Sequence, residues 1–251
     1  MPVAEVRVDV ALVRRLLRAQ YPGPTAHLPL VEVARGWDNA MLRLGDDLAV
    51  RLPLRAVSAP LVEHEAAWLP LLAAGLPSGV AAPVPVFRGR PGAGYPWSWN
   101  VVPWLAGQVL AAVPVGERTA YARPLAAALV ALHRPAPPQA PANPWRGVPL
   151  AERAREVPPD LTLAQRAFGG AVAAGVEHAW RDGLAAPTWP GPPLWLHGDP
   201  HPHNVLVRDG RLAALVDFGD VTAGDPASDL ATAWLTFDAA GRAAFRHRVD
   251  A

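Results

Sequence analysis

Cysteine is absent from this chain, which excludes disulfides, thiolate zinc sites and a cysteine nucleophile. Lysine is absent too: all 23 basic residues are arginine, so any contact an ammonium makes elsewhere falls here to a guanidinium. Beside the many Ala, Pro and Gly, this composition reads first as codon bias from a GC-rich genome. Charge is scarce, at 18% of residues, and nearly balanced at +1, so no global attraction to nucleic acid or an anionic membrane is expected. No apolar run approaches the ~20 residues that span a bilayer. The start, MPVAEVRVDV, lacks the basic segment and apolar core of a secretory signal, so the expected compartment is the cytoplasm. What is present is a globular composition, 51% apolar over 251 residues, long enough for one large domain or two lobes around a cleft.

The chain is organised around WLHGDPHPHNVLVRDGRLAALVDFGD, from Trp195 to Asp220. It reads as strand, polar loop, short strand, turn, strand and acidic loop, with Asp209-Gly210 as the hairpin dipeptide. A hairpin brings its ends together, so Asn204 and Asp217 should be neighbours, with Asp199 close by. An amide and a carboxylate at adjacent strand ends offer hard oxygen ligands to Mg²⁺. A further carboxylate can take a proton from an attacking hydroxyl.

HGDPHPHN, from His197 to Asn204, followed by DFG and then by GDPASDLA, from Gly224 to Ala231, resembles the catalytic and metal loops of the aminoglycoside phosphotransferase-like family, kinase-like enzymes that act on small molecules. The resemblance implies an α+β, bilobal, protein-kinase-like fold: a small antiparallel-sheet N-lobe over residues 1–105 and a mainly helical C-lobe over 106–251. It implies Asp199 as catalytic base and Asn204 and Asp217 as Mg²⁺ ligands. His197 and Asp229 would support the catalytic loop from behind, and Asp220 could assist the metal. Arg51, on LAVRLP, stands where the kinase fold carries a phosphate-contacting lysine; Glu65 is its proposed partner, with Glu63 as competitor. Gly36 and Asn39 fall in the nucleotide-covering loop, and Val102 and Trp104 in the hinge that would bond a purine. His203 replaces the glycine usual before the metal-ligating asparagine.

Each residue also has an ordinary reading: Asp199 as a turn or cap, Asn204 as a turn residue, Arg51 as a strand arginine reaching solvent, and Asp225 as a helix cap. Order and spacing favour the functional set. The three histidines His197, His201 and His203 could suggest zinc, but Pro200 and Pro202 deny them the helical spacing of a His-x₃-His site.

Along the rest of the chain, Val10, Val13, Leu16 and Leu17 share a helical face. Residues 31–53 read as an antiparallel meander, 59–74 as a helix, and 83–87 and 97–102 as strands. Long helices are expected over 117–134 and 161–184. Between them six prolines in 135–149 predict an extended surface segment.

The expected activity is Mg²⁺-dependent transfer of the γ-phosphoryl of ATP or GTP to a hydroxyl of a small molecule. The leading acceptor class is an antibiotic, an aminoglycoside or a macrolide. A metabolic kinase for a choline-, homoserine- or sugar-amine-like alcohol is the alternative, and a nucleotide-binding pseudoenzyme is the alternative of another class. A polycationic acceptor would need carboxylates, and Glu117, Glu152, Glu156, Asp160, Glu177, Asp182 and Asp238 are available. Only 22 residues follow Asp229, so the acceptor site is expected either to be walled by 161–184 and the proline-rich segment, or to be open, or to be completed by a partner chain.

Overall fold

The computed structural model describes residues 3–23, 27–154 and 157–251; the side chains at positions 157–161 and 164 are not described. Helix α1 (Val10–Gln20) starts at Asp9, whose carboxylate accepts the Leu12 N–H at 2.8 Å and caps the first turn. Its buried face is Leu12, Val13, Leu16 and Leu17. Val10 lies at the solvent-facing first residue and is exposed, so Leu12 takes the place expected for it.

A five-stranded antiparallel sheet follows, in the order β1 (Leu30–Arg35), β2 (Asn39–Leu44), β3 (Leu48–Pro53), β5 (Trp99–Pro103), β4 (Phe87–Gly89). Ala40, Leu42 and Leu44 alternate inward along β2, the period-2 signature of a sheet with one buried face. The central β3 is covered on both faces and is buried from Ala49 to Pro53. Val50 and Leu52 pack with α1 and Trp99, while Arg51 turns the other way towards α2 (Ala59–Ala73). The strand expected at 83–87 begins only at Phe87, because Pro83 and Pro85 precede it and cannot donate to a ladder.

The second half is mainly helical. Helix α3 (Thr119–Leu132) buries Ala122, Leu125, Ala126, Ala128, Leu129 and Leu132, and packs against the C-terminal α8 (Ala239–Val249). Around it lie β6 (Gln108–Val109), β7 (Leu194–Leu196), β8 (Val205–Arg208), β9 (Arg211–Leu215) and β10 (Thr222–Gly224), with the short helices α6 (Ala227–Leu230) and α7 (Thr232–Thr236). Leu69 and Leu72 of α2 join this second core, so α2 touches both halves. The single helix expected over 161–184 is instead two, α4 (Val157–Phe168) and α5 (Gly170–Ala185). Gly169 between them adopts φ +80°, a left-handed conformation that ends one helix and starts the next. Among the described residues no helix is long and apolar enough to cross a membrane.

Candidate active site

The crevice between sheet and helical half holds a cavity of about 790 Å³. Gly36, Asn39, Arg51, Glu65, Val102, Trp104, Asp199, Asn204 and Asp217 all line it. Residues separated by up to 181 positions therefore face one space, of a size suited to a small-molecule ligand.

The floor is made by the β8–β9 hairpin. Val205 pairs with Leu215, and the Val216 N–H donates to the Asn204 carbonyl at 2.9 Å, which sets Asn204 beside Val216-Asp217 at the open end. The Asn204 Nδ2 donates to the Asp199 carbonyl at 3.0 Å, so the amide is turned with Oδ1 free of any hydrogen bond among the described residues. Asp217 sits at φ +62°, a left-handed conformation costly for a side-chain-bearing residue. Its side chain is 54% exposed in the crevice. Two hard oxygen donors on one wall, with open space beside them, fit Mg²⁺, which keeps waters and takes substrate phosphates as its other ligands. Among the described residues no group of three or more His, Cys, Asp or Glu is arranged to hold a metal ion.

Arg51 anchors the opposite wall. Its Nη1 donates to Glu65 Oε1 at 2.9 Å and its Nη2 to Asp217 Oδ1 at 2.5 Å, with the guanidinium buried. The competitor Glu63 instead accepts from Ser98 Oγ at 2.8 Å on the exposed side of α2. Burial alone would lower the Arg51 pKa, but Glu65 and then Asp217 outweigh it and raise it. Burial pushes the Glu65 carboxyl up to about 7 against the pull of Arg51, whereas Arg51 holds Asp217 below its ordinary value despite desolvation. Three buried atoms without a hydrogen-bond partner, Asn39 Oδ1, Arg51 Nε and Glu65 Oε2, belong to residues of this cavity.

The hinge is more restricted than its sequence suggests. Pro103 has no N–H, and the Trp104 N–H is donated to the Asp47 carbonyl at 2.7 Å. The indole of Trp104 lies under the Arg43 guanidinium, 5.0 Å from centroid to cation. The Gly36 N–H closes the covering loop on the Asn39 carbonyl at 2.9 Å.

Behind the cavity the backbone of the Asp199 loop is held by a buried network. The N–H groups of His197 and Gly198 donate to Asp229 Oδ2 and Oδ1 at 2.8 and 2.9 Å, and His133 Nε2 lies 3.2 Å from Oδ2. The His197 ring accepts the Asp199 N–H on Nδ1 at 3.3 Å, which assigns the proton to Nε2, 3.1 Å from the Val216 carbonyl. That ring stacks on Phe218 at 4.3 Å, and burial lowers its pKa despite the nearby carboxylates. His197 is therefore a neutral strut between the Asp199 loop and the Asp217 loop.

The sequence reading missed one contributor. The proline-rich stretch, expected as an extended surface segment that could help wall the acceptor site, brings Arg146 into the crevice. There Nη2 stands 3.4 Å from Asp199 Oδ1 and Nε 3.5 Å from Asp220 Oδ2. His201 Nε2 stands 3.4 Å from the other Asp199 oxygen. The signal available in sequence was a lone arginine between Trp145 and Gly147 in a stretch otherwise lacking charge.

The carboxylates offered for a polycationic acceptor lie elsewhere. Glu117, Glu152, Glu177, Asp182 and Asp238 do not line the cavity. Asp238 caps α8 through Gly241 N–H, Asp182 pairs with His178 and Glu177 with Arg181. Glu156 and the Asp160 side chain fall outside the described residues.

The family model of the phosphotransferase enzyme family matches residues 29–251. Comparison with curated proteins returns no match. Among solved structures, macrolide 2'-phosphotransferase MphH from Brachybacterium faecium, as apoenzyme, aligns with TM-score 0.65 at 22% identity, covering 96% of this chain and 82% of its own. The GDP complex of wild-type aminoglycoside 2'-phosphotransferase-IIIa aligns with TM-score 0.67 at 18% identity, over 96% and 83%. The streptomycin–ATP–APH(2'')-IIa ternary complex aligns with TM-score 0.62 at 16% identity, over 98% and 83%. At these identities the structural likeness shows the kinase-like fold.

Proposed function

This chain belongs to the phosphotransferase enzyme family, and within it we propose a Mg²⁺-dependent kinase that moves the γ-phosphoryl of ATP or GTP to a hydroxyl of an antibiotic-like small molecule. The observation that carries the reading is the meeting of Asp199, Asn204, Asp217 and Arg51 on one cavity. The nucleotide would lie under the Gly36–Asn39 loop, with its base against Val102 and Trp104 and its phosphates towards Arg51. The acceptor oxygen bonds the γ-phosphorus while the bond to the β–γ bridging oxygen breaks, its electron pair leaving on the diphosphate. The hydroxyl proton passes to the Asp199 carboxylate.

Asn204 and Asp217 would hold Mg²⁺, which when bound neutralises phosphate charge. Arg51, fixed by Glu65, orients the phosphates and keeps Asp217 ionised. Asp229 and His197 hold the loop that aims Asp199, and a rigid loop is what positioning catalysis demands. Among acceptors, none of Glu117, Glu152, Glu177, Asp182 and Asp238 lines the cavity, and its C-lobe carboxylates Asp199, Asp217 and Asp220 are engaged by Arg146 or Arg51, which favours a neutral or singly charged molecule, such as a macrolide, over a polycationic aminoglycoside.

The reading is tested by thermal stabilisation. ATP or GTP should stabilise the wild type more with Mg²⁺ than without, and Asp217→Asn should erase the difference between the two conditions. Further stabilisation by a macrolide and none by gentamicin supports the acceptor class; the reverse order refutes it. Nucleotide binding indifferent to Mg²⁺ in the wild type removes the proposed chemistry.

A further inference from the structure

Arg146 reaches the crevice on a segment held in place for most of its length. The Pro141 carbonyl accepts from Thr222 Oγ1 at 2.8 Å, and Asn143 Nδ2 donates to Asp220 Oδ1 at 3.0 Å. The Trp145 N–H returns to Asn143 Oδ1 at 2.9 Å, and the Trp145 carbonyl accepts from Arg153 Nη1 at 2.9 Å. One residue past Arg146, the Gly147 carbonyl accepts the Asp225 N–H at 2.9 Å. Gly147 is at φ +69°, and a Cβ there would stand 2.6 Å from Leu196 Cδ1 and 3.0 Å from Gly224 Cα. Only a glycine permits this backbone contact, and the contact fixes where the preceding side chain enters. A prolyl stretch further limits the conformations from which the arginine could wander.

The guanidinium so delivered is held by charge and keeps its hydrogen-bond donors. Its approaches to Asp199 and Asp220, at 3.4 and 3.5 Å, are ion pairs, and among the described residues it makes no hydrogen bond. The side chain is 35% exposed. Arg51, the other arginine lining the cavity, has both Nη groups engaged by carboxylates. With no lysine in the chain, and with only Nε of Arg51 left without a partner, Arg146 is the guanidinium at the crevice wall whose Nη groups make no hydrogen bond among the described residues.

We propose that Arg146 is a catalytic residue that donates to the non-bridging oxygens of the transferring phosphoryl group. This rests on the phosphotransferase reading above and goes beyond it. The acceptor oxygen must lie within hydrogen-bonding reach of Asp199 and near contact distance of the phosphorus. A guanidinium beside the same carboxylate then meets the equatorial oxygens, where charge spreads in the transition state. Two adjacent carboxylates hold it in place, and its planar fork suits two such oxygens at once. The bonds made and broken are those already stated: acceptor oxygen to phosphorus formed, phosphorus to bridging oxygen broken, and proton to Asp199. Arg146 keeps all its protons throughout.

The test uses calorimetric binding of Mg·ADP and Mg·GDP, each with and without aluminium fluoride, to wild type, Arg146→Ala and Arg146→Lys. Aluminium fluoride beside a diphosphate mimics the phosphoryl group in flight. Arg146→Ala should bind the Mg·diphosphate as the wild type does, yet lose about 100-fold or more of the added affinity that aluminium fluoride confers. Arg146→Lys should recover part of it. The slow transfer to water should fall in Arg146→Ala by a similar factor and be partly rescued by free guanidinium ion, a rescue that a purely structural role would not give. Aluminium fluoride tightening the alanine variant as much as the wild type overturns the proposal and leaves the phosphotransferase reading standing. A wild type that binds neither diphosphate in a Mg²⁺-dependent way overturns both.

Discussion

Arg51 and Asp217, 166 positions apart, meet through Nη2 and Oδ1 at 2.5 Å, while the same guanidinium bonds Glu65 at 2.9 Å. One arginine thus ties the central strand of the sheet, the helix above it and the Asp217 loop below. Removing it leaves Glu65 buried without its counter-ion, and that omission costs more than the pair contributes. Arg51→Ala should lower stability by about 3–5 kcal/mol in urea unfolding. The double variant Arg51→Met/Glu65→Leu should recover most of the stability and none of the nucleotide affinity. Full recovery of both would take Arg51 out of the phosphate site.

Asp229 accepts the N–H groups of His197 and Gly198 and is fully buried, yet it does not line the cavity. Hydrogen bonds to a buried carboxylate are worth about 1.5–3 kcal/mol each. Asp229→Asn should therefore cost stability of that order and reduce turnover by misplacing Asp199, and because Asp229 does not line the cavity it should leave Mg·nucleotide affinity within about threefold, roughly 0.7 kcal/mol. Hydrogen exchange at the His197 and Gly198 amides should accelerate in the variant.

His197 carries a pH signature. Its folded pKa is lowered by burial, so below the unfolded value near 6.5 the unfolded chain takes up a proton that the folded chain refuses. The stabilising contribution is present above that pH and is lost as pH falls towards the folded pKa. The slope is at most about 1.4 kcal/mol per pH unit for one proton. His197→Gln lacks this dependence, so the stability gap between wild type and variant should narrow between pH 6.5 and 5. A gap that widens on acidification would mean the ring is charged in the fold.

These relationships were unequally visible in the sequence. The hairpin that sets Asn204 beside Asp217 is local, written in an Asp209-Gly210 turn between apolar runs, and pattern reading reaches it. The Arg51–Glu65 pairing is separated by 14 residues and needed the kinase-like resemblance to choose Glu65 over Glu63; burial of one face of α2 makes the choice in three dimensions. The placement of Arg146 was not legible. Proline-rich composition says that a segment is extended, and nothing in it says which surface the segment lies against. That depends on glycine-to-glycine contact between Gly147 and Gly224, 77 positions apart, a steric fit without a periodic signal. The break at Gly169 was written in the sequence as Gly169-Gly170, but apolar spacing on both sides concealed it.

The central claim is that Asp199 accepts the proton of an acceptor hydroxyl during phosphoryl transfer. Its most direct measurement is the release of ADP or GDP across a panel of hydroxyl acceptors, wild type against Asp199→Ala, with nucleotide affinity measured in parallel. The account predicts acceptor-stimulated release by the wild type and a fall of about 10²–10⁴ in kcat for the variant at unchanged nucleotide Kd. Equal turnover by the two proteins contradicts it.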